Sequence, residues 1–247
     1  MKIFIHTKHQ YLKNFILNIS EEFDTEGYTI HKVRNEVKVF SVGGIEVNVK
    51  KYAVPHLFNR IVYTFFRKSK AERAYRNALK VQAQGIDTPA PVAYVLCKRQ
   101  GLLYDSYFIS LQQPYLNLTQ TRNTADIYAA LGKFIAELQQ KNILHLDLSF
   151  GNILLNDAGN NIAFSLVDLN RMKFRKISPS AGFLNFNRLH ANEEVLKILA
   201  KSYAETRNRE EKECCEKILR ANEKHFHSRL PFHSNRPKIP VMAVSST

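Results

Sequence analysis

The stretch "ILHLDLSFGNILL", residues 143–155, places three polar side chains in an otherwise mostly apolar run. They are His145, Asp147 and Asn152, and the run follows a segment with helical periodicity. One interpretation is structural, because Asp and Asn side chains bond nearby backbone in turns and a buried histidine can bond a carbonyl. The other is chemical, because a rigid loop between apolar anchors can hold a carboxylate and an amide at a reaction centre. The surrounding elements must decide between the two.

The composition is that of an ordinary globular protein. The chain has 247 residues, 45% of them hydrophobic, which suffices for one large domain or two smaller lobes. No apolar run approaches the roughly 18 residues of a transmembrane helix, and the N-terminal stretch lacks the apolar block of a secretory signal. The three cysteines fit neither a disulfide framework nor the spacing of zinc ligands. We therefore expect a cytoplasmic protein with reduced thiols.

The charge is less ordinary. Lys and Arg number 36 against 22 Asp and Glu, a net charge of +14. Between residues 50 and 80 there are nine basic residues and one acid, Glu72. Such an excess indicates an anionic partner, which is a nucleic acid, a membrane surface or a phosphorylated substrate. No motif for reading nucleic acid is present, so a nucleic-acid partner is not expected.

Hydrophobic periodicity predicts an α+β protein. Strands at 28–33, 37–42 and 45–52 form a meander, and a helix at 69–85 starts with a capping box and stops at a glycine. Two further strands, at 88–97 and 106–111, complete a five-stranded antiparallel sheet with one main helix. A long helix from Thr124, two short strands and a mainly helical remainder follow. The predicted division is an N-terminal lobe of residues 1–113, a C-terminal lobe of 114–229 and a flexible tail of 230–247.

This order of elements resembles the two-lobed protein-kinase-like fold. His145-x-Asp147-x-x-x-x-Asn152 keeps the spacing of the kinase catalytic loop, and Asp168 stands where the metal-binding aspartate would be. More narrowly, "VKKY", "SKAERAYRNAL", "HLDLSFGNILL", "FSLVDLNRMKF" and "NFNRL" resemble the lipopolysaccharide kinase family, which phosphorylates Kdo or heptose of the inner core. The resemblance covers roughly residues 34–204.

The resemblance implies ATP, Mg²⁺ and a sugar hydroxyl on a lipid-anchored glycan. By the same resemblance Asp147 would orient the acceptor hydroxyl and take its proton. Asn152 and Asp168 would bind Mg²⁺, and His145 would be structural. Two alternatives stay open: a small-molecule phosphotransferase similar to the aminoglycoside kinases, and a non-catalytic nucleotide-binding scaffold.

A phosphate-binding lysine is expected at the end of the third strand. Lys50 is the candidate because strand alternation puts it on the opposite face from Val47 and Val49, and Lys51 is the competitor. Glu72 either pairs with that lysine or only caps its helix within Ser69-x-x-Glu72.

The chain also departs from the protein-kinase pattern. There is no G-x-G-x-x-G, so the hairpin around Arg34 and Asn35 would have to cover the phosphates with its backbone amides. Ser149 replaces the lysine that usually follows the catalytic aspartate, so a protein substrate is not expected. Arg171 follows Asp168 closely and is expected to bind an anionic acceptor.

Residues 57–70, "LFNRIVYTFFRKSK", combine apolar and basic side chains at helical spacing. The apolar members are Leu57, Phe58, Ile61, Val62, Phe65 and Phe66, and the basic members are Arg60, Arg67, Lys68 and Lys70. Such a helix is either an ordinary helix packed on the N-terminal lobe or a contact with an anionic membrane surface beside a lipid-anchored acceptor. In the second case the protein would be peripheral on the inner face of the inner membrane. The sequence does not indicate the oligomeric state.

Overall fold

A computed structural model describes residues 1–157 and 161–227 of the chain, which divides into two compact units. The first unit comprises Met1–Pro114 together with Ser165–Met172. The second comprises Tyr115–Phe164 and the chain from Lys173 onward. Ser165–Met172 thus clusters with the first unit, although the predicted division placed it in the C-terminal lobe. The predicted tail, 230–247, lies outside the described residues.

The elements follow one another in the predicted order, with two additions near the N-terminus. The strands are β1 (Lys2–Ile5), β2 (Tyr28–Lys32), β3 (Glu36–Val42), β4 (Ile45–Tyr52), β5 (Pro91–Arg99), β6 (Leu102–Leu111), β7 (Leu116–Asn117), β8 (Ile143–His145), β9 (Ile153–Asp157), β10 (Ile162–Leu166) and β11 (Met172–Phe174). The helices are α1 (Lys13–Thr25), α2 (Leu57–Phe65), α3 (Lys70–Ala83), α4 (Ala125–Gln140), α5 (Pro179–Leu184), α6 (Glu193–Arg207) and α7 (Glu211–His227). None of the helices in the described part of the chain is long and apolar enough to cross a membrane.

A six-stranded antiparallel sheet, in the order β1-β5-β6-β4-β3-β2, organises the first unit. β4 lies between β3 and β6, so both of its edges are hydrogen-bonded to neighbouring strands. Val47 and Val49 are fully buried in the core that includes α1. Tyr52 is buried in a second cluster on the other face. Because side chains alternate along a strand, Lys50 shares the face of Tyr52, and Lys51 shares the face of the valines.

The predicted meander is confirmed as β2, β3 and β4. The expected count of five strands is wrong, because β1 adds a sixth strand at the edge, beside β5. The expected loop at 98–105 is also wrong. Gln100 and Gly101 have φ angles of 53° and 78°, the left-handed pair that a two-residue hairpin turn requires, and β6 starts directly after them.

Three helices pack on or beside this sheet, where one main helix was expected. α1 buries Phe15, Ile16, Ile19 and Phe23 at helical spacing against the sheet. α3 is the predicted capped helix: the Ser69 hydroxyl accepts the backbone N–H of Glu72 at 3.1 Å. α2, by contrast, has no buried residue.

The second unit is mainly helical, as predicted. The Thr124 hydroxyl caps α4, whose buried side chains face α6. The two helices approach closely at Gly132, where a Cβ would lie 2.5 Å from the Leu199 carbonyl oxygen. Asn208, with a left-handed φ of 49°, ends α6 before α7 begins. β7 and β9 pair beside β10, and β8 pairs with β11, so the stretch between β8 and β9 is a short loop held at both ends by strands.

Candidate active site

In the first unit, Lys50 forms a salt bridge with Asp168. Lys50 Nζ lies 2.7 Å from Asp168 Oδ1, and the two side chains are only 16% and 23% exposed. The ammonium also lies over the ring of Tyr52, 5.5 Å from its centroid. Two candidate site residues that are 118 positions apart in sequence are therefore in direct contact.

The backbone around Asp168 is strained and well anchored. Asp168 has φ 58° and ψ 47°, a left-handed conformation that is costly for a residue with a Cβ and is typical of functional sites. Asn170 Nδ2 donates to its carboxylate. α3 holds the following turn, because Asn77 Nδ2 donates to the Leu169 carbonyl at 2.7 Å and Arg73 Nε to the Asn170 carbonyl at 3.3 Å. These contacts fix the position of a carboxylate that a metal ion could use.

Lys51 lies on the opposite face of β4 and has different partners. Its Nζ is 3.1 Å from Asp24 Oδ1 and 4.0 Å from Asp105 Oδ2. Burial is the main cause that raises the pKa of Asp105, and Lys51 opposes that shift. In this structure Lys50, rather than Lys51, is the lysine beside Asp168.

The Ser69 hydroxyl caps the start of α3 by accepting the Glu72 N–H, while the Glu72 carboxylate has a different partner. Glu72 Oε1 accepts from Arg76 Nε at 2.9 Å, one turn along the same helix. The carboxylate partner that the structure gives Lys50 is Asp168, not Glu72. In this structure the Glu72 carboxylate therefore pairs with Arg76, and the bond at the start of the helix is the one accepted by Ser69.

Arg34 lines a cavity of about 240 Å³ that was not predicted from the sequence. His56, Asn59 and Lys70 also line it. Asn35 stabilises the hairpin, because its Oδ1 accepts the Ala53 N–H at 3.2 Å. The cavity therefore brings the predicted hairpin together with the first residue of α3.

Lys70 also lines this cavity, although the sequence analysis named it only as a basic member of the segment 57–70. Burial is the main cause that lowers its pKa, and repulsion from Arg34, Arg73 and Lys50 adds to it, while Asp168 opposes the shift. A lysine at a helix N-terminus also opposes the helix dipole. A bound anion such as a phosphate would relieve the repulsion between these positive charges. The signal was present in sequence as a cation directly after a capping serine.

The buried hydroxyl of Tyr52 supports the same interpretation. Within the described residues it has no hydrogen-bond partner. Burial and the charge of Asp168 raise its pKa well above the ordinary value, so the phenol stays a donor at neutral pH. An unsatisfied buried donor is uncommon in folded proteins and fits a site that binds an oxygen-rich ligand. Arg171, the predicted acceptor contact, ends the short turn after Asp168 and is exposed.

In the second unit, the loop of the opening motif is held by its own polar groups. His145 is fully buried, and its Nδ1 accepts the Asp147 N–H at 3.1 Å. Asn152 Nδ2 donates to the Asp147 carbonyl at 2.8 Å. Leu148 and Ile153 are fully buried on either side. The loop is therefore rigid, and the Asp147 side chain keeps a third of its surface exposed.

Two residues that contact this loop were missed. Asn185 Nδ2 donates to the His145 carbonyl at 2.8 Å, and Arg188 Nη1 lies 3.7 Å from Asp147 Oδ1. Both belong to "NFNRL", which was noted only as a likeness of sequence. The weak signal was two polar residues three positions apart, in a segment whose Phe186 and Leu189 are buried.

Each unit, taken by itself, offers one oxygen group of the kind that a hard cation such as Mg²⁺ prefers. Asp168 offers a carboxylate, and Asn152 uses the donor half of its amide on Asp147, so its amide oxygen is the half suited to a metal. Within residues 1–157 and 161–223, no three His, Cys, Asp or Glu side chains cluster to form a metal site by themselves. Mg²⁺ in kinases is bound by one or two side chains together with substrate phosphates, and this chain offers ligands of that kind.

Comparison with known proteins identifies the family. The model of the lipopolysaccharide kinase (Kdo/WaaP) family matches residues 34–210. A search of curated protein sequences gives no significant match.

Solved structures share the fold at low sequence identity. WaaP in complex with acyl carrier protein has a TM-score of 0.60 at 14% identity, covering 92% of this chain and all of the other. Aminoglycoside-3'-phosphotransferase of type VIII has a TM-score of 0.58 at 12% identity, covering 88% of this chain and all of the other. The Rio2 kinase complex from Chaetomium thermophilum with ADP/Mg²⁺ and phosphoaspartate has a TM-score of 0.50 at 12% identity, covering 91% and 78%.

These matches confirm two expectations drawn from the sequence. The α+β fold is protein-kinase-like, as in these solved structures. The family match covers more than half of the chain. It includes every segment quoted above for the resemblance. The chain therefore belongs to the lipopolysaccharide kinase (Kdo/WaaP) family and is a phosphotransferase.

Proposed function

We propose that this kinase transfers the γ-phosphoryl group of ATP to a hydroxyl of Kdo or heptose in the inner core of lipopolysaccharide. The observation that carries the proposal is the family match over residues 34–210, which contains both residue groups described above. Membership of the family supports a sugar kinase of the lipopolysaccharide core. The choice of sugar is left to the experiment below.

The proposed role of the first unit is to bind the nucleotide. Lys50 binds ATP phosphates, and in this structure its ammonium is held by Asp168 at 2.7 Å. Lys70 and Arg34 add positive charge at the neighbouring cavity. When Mg²⁺ is bound, it neutralises phosphate charge during transfer. Asp168 and Asn152 are the residues proposed to hold it.

The proposed role of the second unit is to prepare the acceptor. Asp147 accepts the proton of the sugar hydroxyl while the hydroxyl oxygen bonds to the γ-phosphorus. The bond between the γ-phosphorus and the oxygen that bridges it to the β-phosphate breaks, and ADP leaves. Arg188, 3.7 Å away, and the rigid loop keep the carboxylate in place. Positioning of this kind supplies most of the catalysis in phosphoryl transfer.

The test uses purified protein, ATP, Mg²⁺ and two glycolipid acceptors, one carrying Kdo alone and one carrying Kdo and heptose. Mass spectrometry should show the gain of one phosphate, and fragmentation of the product identifies the sugar that carries it. Asp147→Asn should lower turnover by about 10²- to 10⁴-fold, the usual contribution of a positioned acid or base. Asp157→Asn is the matched control, because Asp157 is exposed on β9, and it should keep wild-type turnover.

The alternatives predict different results. Phosphorylation of an aminoglycoside but of neither glycolipid would replace the proposal with a small-molecule kinase. ATP binding without transfer to any acceptor would indicate a nucleotide-binding scaffold. The likeness to the aminoglycoside phosphotransferase, at 12% identity, concerns the fold alone.

A further inference from the structure

The helix α2 presents its apolar side to solvent. Along its length the large apolar side chains are exposed: Leu57 by 62%, Phe58 by 76%, Ile61 by 40% and Phe65 by 67%, followed by Phe66 by 82%. These residues share one side of the helix, since they are spaced by one, three or four positions. In an ordinary amphipathic helix this stripe would be buried in the core.

The polar side of α2 faces the protein instead. Arg60 Nε donates to the Leu103 carbonyl at 2.9 Å, and the Leu103 N–H donates to Thr64 Oγ1 at 2.9 Å. The Arg60 guanidinium lies 5.7 Å from the centroid of the Tyr104 ring. Tyr63 packs against the buried cluster of the sheet face. Four contacts with β6 and its sheet therefore fix the orientation of the helix, and its apolar side is exposed as part of the folded structure.

The surroundings of this apolar side are positively charged. No Asp or Glu occurs between Ala53 and Ala71. A crevice of about 390 Å³ beside Phe65 and Phe66 has a mixed lining with four cationic residues and one acid, Glu72. The cationic residues are Lys2, Arg67, Lys68 and Lys98, and all four are exposed.

We propose that α2 is a membrane-docking element whose apolar side inserts into the interface of an anionic bilayer, with the neighbouring cationic crevice receiving lipid phosphates. Nine residues of helix span roughly 14 Å, which suits a helix lying in the interface plane. The charge of the segment favours an anionic bilayer as the partner of this apolar side. Interfacial helices combine exposed Phe and Leu with Lys and Arg, and this segment does so without any acid. Protein–protein interfaces are instead depleted in lysine.

The docking is independent of the proposed reaction, although its purpose, bringing the kinase to a lipid-anchored acceptor, rests on the proposed function. The primary test therefore measures binding alone. Wild-type protein is floated with vesicles of phosphatidylcholine, either pure or mixed with phosphatidylglycerol, at low and high salt. Binding should require phosphatidylglycerol and weaken with salt, because salt screens exposed charges.

The charge contribution is tested with Arg67→Glu combined with Lys68→Glu. Each basic residue near an anionic surface contributes about fivefold in partitioning, so the double variant should bind at least about 25-fold more weakly. The matched control is Lys8→Glu combined with Lys13→Glu, which makes the same change of net charge at exposed positions before and within α1. The control should lose far less binding.

The apolar contribution is tested with Phe58→Ser combined with Phe65→Ser. Loss of two inserted rings should weaken vesicle binding by on the order of 100-fold, since burial of each ring is worth about tenfold or more. Leu17→Ser, at an exposed apolar position on α1, should bind as wild type does. Thermal unfolding of the double Phe variant should match wild type, because neither ring is buried.

Three results would overturn the proposal. One is equal vesicle binding by wild type and both double variants. Another is binding of α2 to purified acyl carrier protein, lost in the variants, with no vesicle binding by wild type. The third is concentration-dependent self-association that only the Phe variant abolishes, again without vesicle binding. Absence of turnover on every acceptor would instead count against the proposed function and leave the flotation result valid.

Discussion

Replacing Lys50 with methionine tests whether the pair with Asp168 is the nucleotide-binding centre. Methionine keeps the length and apolar stem of the side chain and removes only the charge. At 2.7 Å and an effective dielectric constant of about 20, the Coulomb attraction is about 6 kcal/mol. Burial of both groups offsets most of it, so the net loss lies between that of exposed and fully buried pairs, at about 1–3 kcal/mol. For a chain of this size the melting temperature should fall by roughly 2–12 °C.

The loss of turnover should be larger than the loss of stability. If Lys50 neutralises phosphate charge during transfer, Lys50→Met should lower kcat/KM by about 10²- to 10³-fold, as removal of one preorganised donor does in other enzymes. The assay is phosphate transfer to the accepted glycolipid at saturating Mg²⁺, with circular dichroism to follow unfolding.

Lys51→Met is the matched control, because it makes the same change one position further along β4. Its main partner, Asp24, is 69% exposed, so the melting temperature should change by no more than about 4 °C and turnover by less than about threefold. If both variants lost turnover equally, or if Lys51→Met lost more, the assignment of Lys50 would be refuted.

Three further changes test other parts of the structure. Asp168→Asn should weaken Mg²⁺-dependent ATP binding as well as turnover, whereas Asp147→Asn should spare it; identical Mg²⁺ titrations for wild type and Asp168→Asn would contradict the metal assignment. Asn185→Ala removes the bond that Asn185 donates to the buried His145 carbonyl and should cost about 0.5–1.5 kcal/mol in urea unfolding, with a parallel loss of kcat. Burial raises the pKa of Asp105, so its ionisation opposes folding, and stability is lost as pH rises from about 4 through the raised value. In urea unfolding, the stability of Asp105→Asn relative to wild type should therefore increase as pH rises through that window. A stability difference between the two proteins that stays constant from acid to neutral pH would count against this prediction.

Local patterns predicted the parts of the site that lie close together in sequence. Asp147 and Asn152 fall within one short stretch, so their spacing alone indicated the loop. The choice of Lys50 followed from strand alternation, although its partner Asp168 is far away along the chain. Arg188 and Asn185 were missed because they reach the loop only through tertiary packing, which no periodicity encodes.

The fold shows the same division between local and long-range information. α1 buries residues at helical spacing and was predictable in principle, whereas β1 is a four-residue edge strand with little pattern to detect. For α2, periodicity predicted a helix with an apolar stripe but not the direction that the stripe faces. The direction depends on the bonds of Arg60 and Thr64 with Leu103, some 40 positions later in the chain.

The discontinuous first unit has a consequence for synthesis of the chain on the ribosome. The segment Ser165–Met172 supplies Asp168 and the carbonyls that Arg73, Asn77 and Thr88 bond, across 78 to 97 positions of sequence. When Pro114 has been added, 58 residues, up to and including Met172, are still missing. At typical rates of translation this takes roughly 3–12 s. During that interval the nascent sheet and α3 exist without their last partner, so the first unit is completed only after Tyr115–Phe164 of the second unit has been made.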